Sequence, residues 1–433
     1  MTDAATTAVP ELPVSLYGTH IGELFRVSGR AMFRWSADAE ERWGLNSPVL
    51  SRSLRVGFSS SEQVESFFGA LLPEGIHLDR LAKDACVSSS DLIGLLAHVG
   101  SDLAGALRVG DPREASEPQE LTAEEVGLLL DAASGFLVGG GGTALPGFQR
   151  KLTLTRRDGG WWRGNGTLAS SHILKPVLSE QRATVESENY LLTLGRELGL
   201  LDYETWIEEI GGRFVLVIER YDRRRSATGE VHRLHQEDVG QAIGLPWGGS
   251  EKFESVDARA SLRATAELLD PRRTVFDAAR PDTEKLLRYA VVNVAGGNTD
   301  AHAKNFSLLH HEDGATELAP YYDAAPLALA YDGTQALAMR IDGVPQLPDV
   351  TRDDLLSEAV SWGLADARAR AIIDETLERI IEATRTVPAH ASIAAHVPGY
   401  VRGQAQNLLA GGPARIPSAV PLMALKHLGS LEV

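Results

Sequence analysis

The chain has 433 residues, 43% hydrophobic and 23% charged, with a formal net charge of −17 and one cysteine, Cys86. These values exclude fibrous and wholly disordered classes, and the acidic balance argues against general polyanion binding, which needs clustered Lys and Arg against phosphates. A lone cysteine excludes an internal disulfide framework and a Cys-rich zinc site, and suits a reducing compartment.

Met1–Pro10 carries neither a basic n-region nor an apolar h-region, and nowhere do about 18 apolar residues run consecutively. The expectation is a cytoplasmic protein with no secretory signal and no membrane association. At about 150 residues per domain, the length suggests two or three domains.

Val14–Tyr17, Ala31–Trp35 and 54–58 read as strands, short apolar runs between Gly, Ser and Pro. Helices follow over 63–72, where Val64, Phe67, Phe68, Leu71 and Leu72 recur at helical spacing, and over Ser90–Val99, opened by Ser90 and Asp91. The stretch 111–119 is apolar-poor and marks a boundary. A short helix over 123–133 leads to Gly139–Gly142, a hinge or the approach to a ligand-cradling loop.

Beyond it the pattern turns β-like, with strands expected at 152–155, 160–163, 172–174 and 214–218 and a helix at 188–198. From Gln236 onward the chain reads as mostly helical; Ile373, Leu377, Ile380 and Ile381 stripe the clearest helix, 367–384. Strands first and helices later give a two-lobed α+β fold.

The chemistry concentrates in Gly296–Ser307, a loop of Asp, His, Lys and Asn between a helical pattern and an apolar run. Phosphoryl transfer needs a carboxylate to orient the attacking hydroxyl, an amide oxygen for Mg²⁺ and positive charge against the developing phosphate charge. Asp300, Asn305 and Lys304 supply those types. Asp300 and Asn305 stand five residues apart, the spacing of the kinase catalytic loop, and Asp323 follows 18 residues after Asn305. No glycine follows Asp323, so a literal D-F-G motif is absent.

Upstream, Lys175 closes a strand where it can meet nucleotide phosphates, with Glu188 or Glu186 as its partner. Val217–Asp222 reads as an inter-lobe hinge, and Gly147-Phe148-Gln149-Arg150-Lys151 as a phosphate-facing loop without a Walker A ending. Blander readings stand beside these. Lys304 contacts either a phosphoryl group or a neighbouring carboxylate, and His302 is a scaffold residue rather than a metal ligand. Residues 310–313 and the arginines at 223–225 read as solvated turns. Trp161 and Trp162 pack in a strand, and Cys86 is a small core residue.

The order of segments resembles the HipA family of toxin serine/threonine kinases from bacterial toxin–antitoxin modules. The pieces that carry the resemblance are 67–74, 145–151, 173–175, 219–223, 233–238, 298–307 and 321–323, spread over roughly 13–385. It implies a two-lobed protein-kinase-like fold with a small β-rich N-terminal domain and a mostly helical C-terminal lobe. The division is 1–112, N-terminal α/β domain; 113–142, linker; 143–225, nucleotide-binding small lobe; and 226–433, helical catalytic lobe.

The resemblance further implies ATP and Mg²⁺ as cofactors, Asp300 as the catalytic residue assisted by Lys304, and Asn305 with Asp323 as metal ligands. Lys175, oriented by Glu188, would sit on the phosphates with the loop residues Gly147, Phe148, Gln149 and Lys151, and Glu219 and Tyr221 would face adenine. The implied substrate is a protein serine, typically on an aminoacyl-tRNA synthetase. The implied partner is a helix-turn-helix antitoxin, through which alone operator DNA is reached. One departure concerns regulation: Ala144 stands where the family commonly has an autophosphorylated serine, with Thr143 beside it. Two rival readings are a weakly active co-repressor and a small-molecule phosphotransferase.

Overall fold

The computed structural model describes residues 11–110, 117–131, 151–164, 166–177, 181–225, 231–269, 281–330 and 334–415. The loop residues Gly147, Phe148 and Gln149, the Gly139–Gly142 run and the Thr143-Ala144 pair lie outside them.

The N-terminal region builds an antiparallel sheet in the order Arg30–Trp35, Thr19–Val27, Leu12–Leu16, Leu107–Val109. Its inner face and the helices Ser61–Gly69 and Leu92–Val99 enclose a core of Leu16, Ile21, Leu24, Phe67, Phe68 and Leu96. Ser60 caps the first helix in a reciprocal capping box with Gln63, and Asp91 caps the second, each satisfying an amide the helix leaves unpaired. Residues 54–58, expected as a strand, are instead turns. Gly57 takes φ 83° and Phe58 N–H folds back onto the Arg55 carbonyl at 3.0 Å, which ends the run before a ladder can form. Cys86 lies exposed with φ 54°, not in the core.

The second sheet has six strands, each antiparallel to its neighbours, in the order Gln119–Leu121, Gly160–Arg163, Leu152–Arg157, His172–Val177, Arg213–Glu219, Thr205–Ile210. Alternation along the fourth strand gives its faces different tasks. Leu174 packs with Leu152, Val215, Val217 and Trp161, while Val177 faces the helix Arg182–Glu197 and its Val185. Lys175 shares the Val177 face, so a lysine points at a helix.

The remaining elements share one large core around the helices Pro281–Gly296, Asp366–Thr386 and Val397–Leu409. Helices dominate there, yet a three-stranded sheet (His235–Asp238, Ser307–His310, Thr316–Leu318) lies among them. His310 therefore belongs to a buried strand and meets Glu237 at 2.8 Å; only the residues after it turn in solvent. No described helix is long and apolar enough to cross a membrane.

The helix Pro281–Gly296 ends in a paired cap, with Gly297 N–H on the Val294 carbonyl at 3.2 Å and Asn298 N–H on Asn293 at 2.9 Å. Gly297 takes φ 73°, and a Cβ there would lie 2.6 Å from the Tyr400 ring. We expect Gly297→Ala to lower stability by about 1–3 kcal/mol from backbone strain and overpacking, read as a lower urea midpoint. An unchanged midpoint would refute this account of the turn.

Candidate active site

The cap at Gly297 launches the loop that carries Asp300. Asn293 ties it down from the helix: its Oδ1 accepts from Asn298 Nδ2 at 2.9 Å and from Tyr321 Oη at 2.6 Å. One buried amide thus fixes both the start of the Asp300 loop and the chain leading to Asp323. Within the loop, the Asp300 carbonyl accepts from His302 N–H at 2.7 Å and from Asn305 Nδ2 at 2.8 Å. With the Asn305 nitrogen used inside the loop, Oδ1 is the atom by which that side chain can accept.

The Asp300 carboxyl is mostly buried, and that burial pushes its pKa up to about 7; Lys252 opposes the shift, while Asp323 and Glu74 add to it. A carboxylate with that pKa is poised to exchange protons near neutrality. His302 is fully enclosed, edge-on to Phe253 at 5.4 Å, and burial lowers its pKa to about 3. Its imidazole is therefore neutral near pH 7.

Across from the loop, Lys175 Nζ donates to Glu188 Oε1 at 2.7 Å and to Asp323 Oδ1 at 2.6 Å. Glu188 is the partner; Glu186 instead takes Arg182 at 2.9 Å. Burial alone would lower the Lys175 pKa, but Asp323 and Glu188 more than offset it and hold the ammonium above its ordinary value. Burial would likewise raise Asp323, yet Lys175 and Lys151 hold its carboxyl well below the usual range. Asp323 adopts φ 54°, a conformation Asp tolerates better than most side chains. Its side chain remains 42% exposed while that of Glu188 is 6% exposed, so Asp323 is the carboxylate of the pair that reaches solvent. Lys151 faces the same cluster, and burial pulls its pKa down to about 8.

The strand Arg213–Glu219 runs into a braced turn. Arg220 N–H bonds the Ser171 carbonyl at 2.9 Å, and Glu219 N–H bonds Glu204 at 2.9 Å. The Tyr221 ring lies 5.5 Å from Tyr322, and its hydroxyl bonds Gln236. Arg223 is no solvated residue: its side chain is 1% exposed, bonded to Asp102 at 3.2 Å and to the Gly105 carbonyl at 2.9 Å. Arg220 forks onto Asp222 at 2.9 and 2.8 Å. A buried charge network thus pins the turn to the N-terminal region.

Lys304 does not face the open cluster as a free cation. Its ammonium lies 2.6 Å from Glu74, which also takes Lys252 at 2.7 Å. Sequence reasoning noted Lys304's alternative of a neighbouring carboxylate but missed that the carboxylate comes from the N-terminal region. Glu74 ends the 67–74 segment that carries the family resemblance, whereas nothing in the sequence around Lys252 marks it.

Residues 12–110 match the family described as HipA N-terminal domain, and residues 143–384 match the HipA-like C-terminal domain. The chain belongs to the HipA family. The protein Y4mE of Sinorhizobium fredii is 34% identical over 385 residues, covering 83% of this chain and 90% of that protein. The serine/threonine-protein kinase toxin HipA of Shewanella oneidensis is 30% identical over 343 residues, covering 75% and 78%. The HipA of Shewanella oneidensis MR-1 solved with HipB and its operator DNA superposes with a TM-score of 0.75 at 25% identity, over 92% of this chain and 96% of that one. The two-lobed α+β kinase-like fold is accordingly the HipA fold.

Do these residues of a HipA-family chain fit magnesium nucleotide? Lys175 and Lys151 balance Glu188 and Asp323, and Asp323 is the carboxylate of the set still open to solvent, where a cation with phosphates could reach it. Among the described residues no group of three or more His, Cys, Asp and Glu side chains could hold a metal by itself. Mg²⁺ typically takes one or two carboxylates and completes its shell with phosphates and water. The donor set fits a metal that arrives with a nucleotide.

Proposed function

We propose that this HipA-family chain is an ATP- and Mg²⁺-dependent serine/threonine protein kinase. The observation that carries the reading is the Lys175 bridge between Glu188 and Asp323, together with a loop whose Asp300 is half-buried and whose Asn305 nitrogen is bonded back to the Asp300 carbonyl. Asp300 orients the substrate hydroxyl and accepts its proton. Asn305 and Asp323 hold the metal, which when bound neutralises phosphate charge. Lys175, oriented by Glu188, positions the ATP phosphates together with Lys151 and the loop residues Gly147, Phe148 and Gln149. The Glu219–Tyr221 turn faces adenine. Placement and electrostatics supply most of the rate, since phosphoryl transfer leaves the protein little covalent chemistry. Lys304 is assigned to anchoring the loop rather than to the phosphoryl group.

The same reading keeps the boundaries at 112 and 225 but gives Gln119–Leu121, an edge strand paired with Gly160–Arg163, to the small lobe rather than to a linker ending at 142. It also has the protein in the cytoplasm and takes an aminoacyl-tRNA synthetase as the substrate, with growth arrest through inhibited translation. A HipB-like antitoxin with a helix-turn-helix is the proposed partner, supported by the solved relative's assembly with HipB and operator DNA.

The test is transfer of label from γ-labelled ATP in cytosolic extract, with and without magnesium. A labelled protein band that requires magnesium is expected, and its identity gives the substrate. Label confined to a metabolite would make the chain a small-molecule phosphotransferase. ATP binding with no transfer would favour the co-repressor.

A further inference from the structure

Glu74 occupies the turn between the helices Ser61–Gly69 and Ile76–Asp84 and is only 2% exposed. A carboxylate so deep requires charged partners. Its partners Lys252 and Lys304 both lie far along the chain, outside the N-terminal sheet and helices, with side chains 5% and 11% exposed. Burial would raise the Glu74 pKa, but Lys304 and Lys252 bring it down to about 2, so the group is an anion between two cations. Asp238 adds a further acidic neighbour to Lys304.

The two lysines also touch the loop through their backbones. The Lys252 carbonyl accepts Ala303 N–H at 3.1 Å, and the Lys304 carbonyl accepts Tyr322 Oη at 2.9 Å. Residues 303 and 304 are therefore gripped by Lys252, by Glu74 and by the residue that precedes Asp323. We infer that Glu74 is a positioning residue for the Asp300–Asn305 loop, acting through Lys304 and Lys252, so that the N-terminal domain completes the active site. This rests on the phosphotransfer reading above for its catalytic consequence, but its geometric content is independent of it.

With Glu74 neutral, two buried ammoniums would face each other without their shared counter-ion, and the next acidic neighbours are Asp238 for Lys304 and Asp300 for Lys252. The loop would then shift. A misplacement of about 1 Å at a reacting centre can cost about 10²-fold in rate.

The test uses the full chain with Glu74→Gln and, separately, Lys304→Met, which leaves Glu74 paired with Lys252 and keeps the charge balanced if the first variant does not fold. Two quantities are read: amide hydrogen exchange at Ala303 and Asn305, and kcat with the KM for ATP. Faster exchange in these amides is expected, with kcat down by about 10²-fold and a smaller rise in the KM for ATP, since Asn305 moves with the loop while Lys175 and the hinge stay in place. The double variant should lose little beyond either single one, because both act on one contact. Exchange like the wild type, or faster exchange with full kcat, overturns the inference. If the wild type itself transfers no phosphate, the kinase reading fails, and loop exchange alone still decides whether Glu74 holds the loop.

Discussion

Asp300→Asn is expected to lower phosphotransfer by about 10²–10⁴-fold, the usual contribution of a positioned proton acceptor, while ATP binding persists. The substitution is nearly isosteric, so the loop hydrogen bonds, which use the Asp300 carbonyl rather than its carboxyl, should survive. Two measurements decide the matter: initial rates with γ-labelled ATP, and nucleotide affinity by calorimetry. Transfer close to wild type would remove Asp300 from the mechanism, and lost ATP affinity would show that the carboxylate binds rather than orients.

The same assignment carries a pH signature. The Asp300 carboxyl must be unprotonated to accept from a hydroxyl, and burial has pushed its pKa up to about 7. Activity in kcat/KM, which reports the free protein, should therefore rise with pH through about 7. Lys151 must keep its proton to meet phosphate, and burial has pulled its pKa down to about 8, so the profile should fall above that value. A narrow bell is the result. In Asp300→Asn the residual rate should lose the rising limb and keep the falling one.

Much of this site was legible along the chain because its parts are local. The Asp300–Asn305 spacing, the strand that ends near Lys175 and the Leu318–Asp323 segment each lie within one element and its flanking loop, where period and turn residues are informative. Choosing Glu188 over Glu186 was not local. Both sit on one helix, and only the helix's rotation against the strand His172–Val177 sends Glu188 to Lys175 and Glu186 to Arg182.

What stayed hidden involves charges that look solvated in sequence but are neutralised across long separations. Arg223 stands in an exposed-looking run of three arginines, yet its counter-charges come from Asp222 beside it and from Asp102. Glu74 finds Lys304 230 positions away. His310 is buried because Glu237 on the neighbouring strand satisfies its ring. Composition marks such residues as surface, and only tertiary pairing reverses that. The Glu74–Lys304 and Arg223–Asp102 pairs share a consequence: they bind the N-terminal region to the loop that carries Asp300 and to the turn after Glu219.

Lys175→Met should have the largest combined effect. It removes the ammonium that both Glu188 and Asp323 hydrogen-bond and leaves Glu188, 6% exposed, with Lys151 as its remaining cationic neighbour. Breaking a buried pair from one side costs about 3–5 kcal/mol. Asp323 can turn to solvent; Glu188 cannot, so its pKa must climb. A carboxyl whose folded pKa lies above its unfolded value destabilises the fold above the unfolded pKa, and the penalty fades as falling pH protonates it in both states. The urea midpoint of Lys175→Met should therefore lie well below wild type at pH 8 and approach it at acidic pH, a contrast that simple loss of packing would not produce. Adding Glu188→Leu removes the stranded charge and should restore much of the stability at pH 8. It should not restore ATP affinity, because the cation for the phosphates is still missing. Recovery of both would make the lysine a structural counter-ion alone, whereas a single variant equally destabilised at every pH would show that Glu188 does not carry the charge assigned to it.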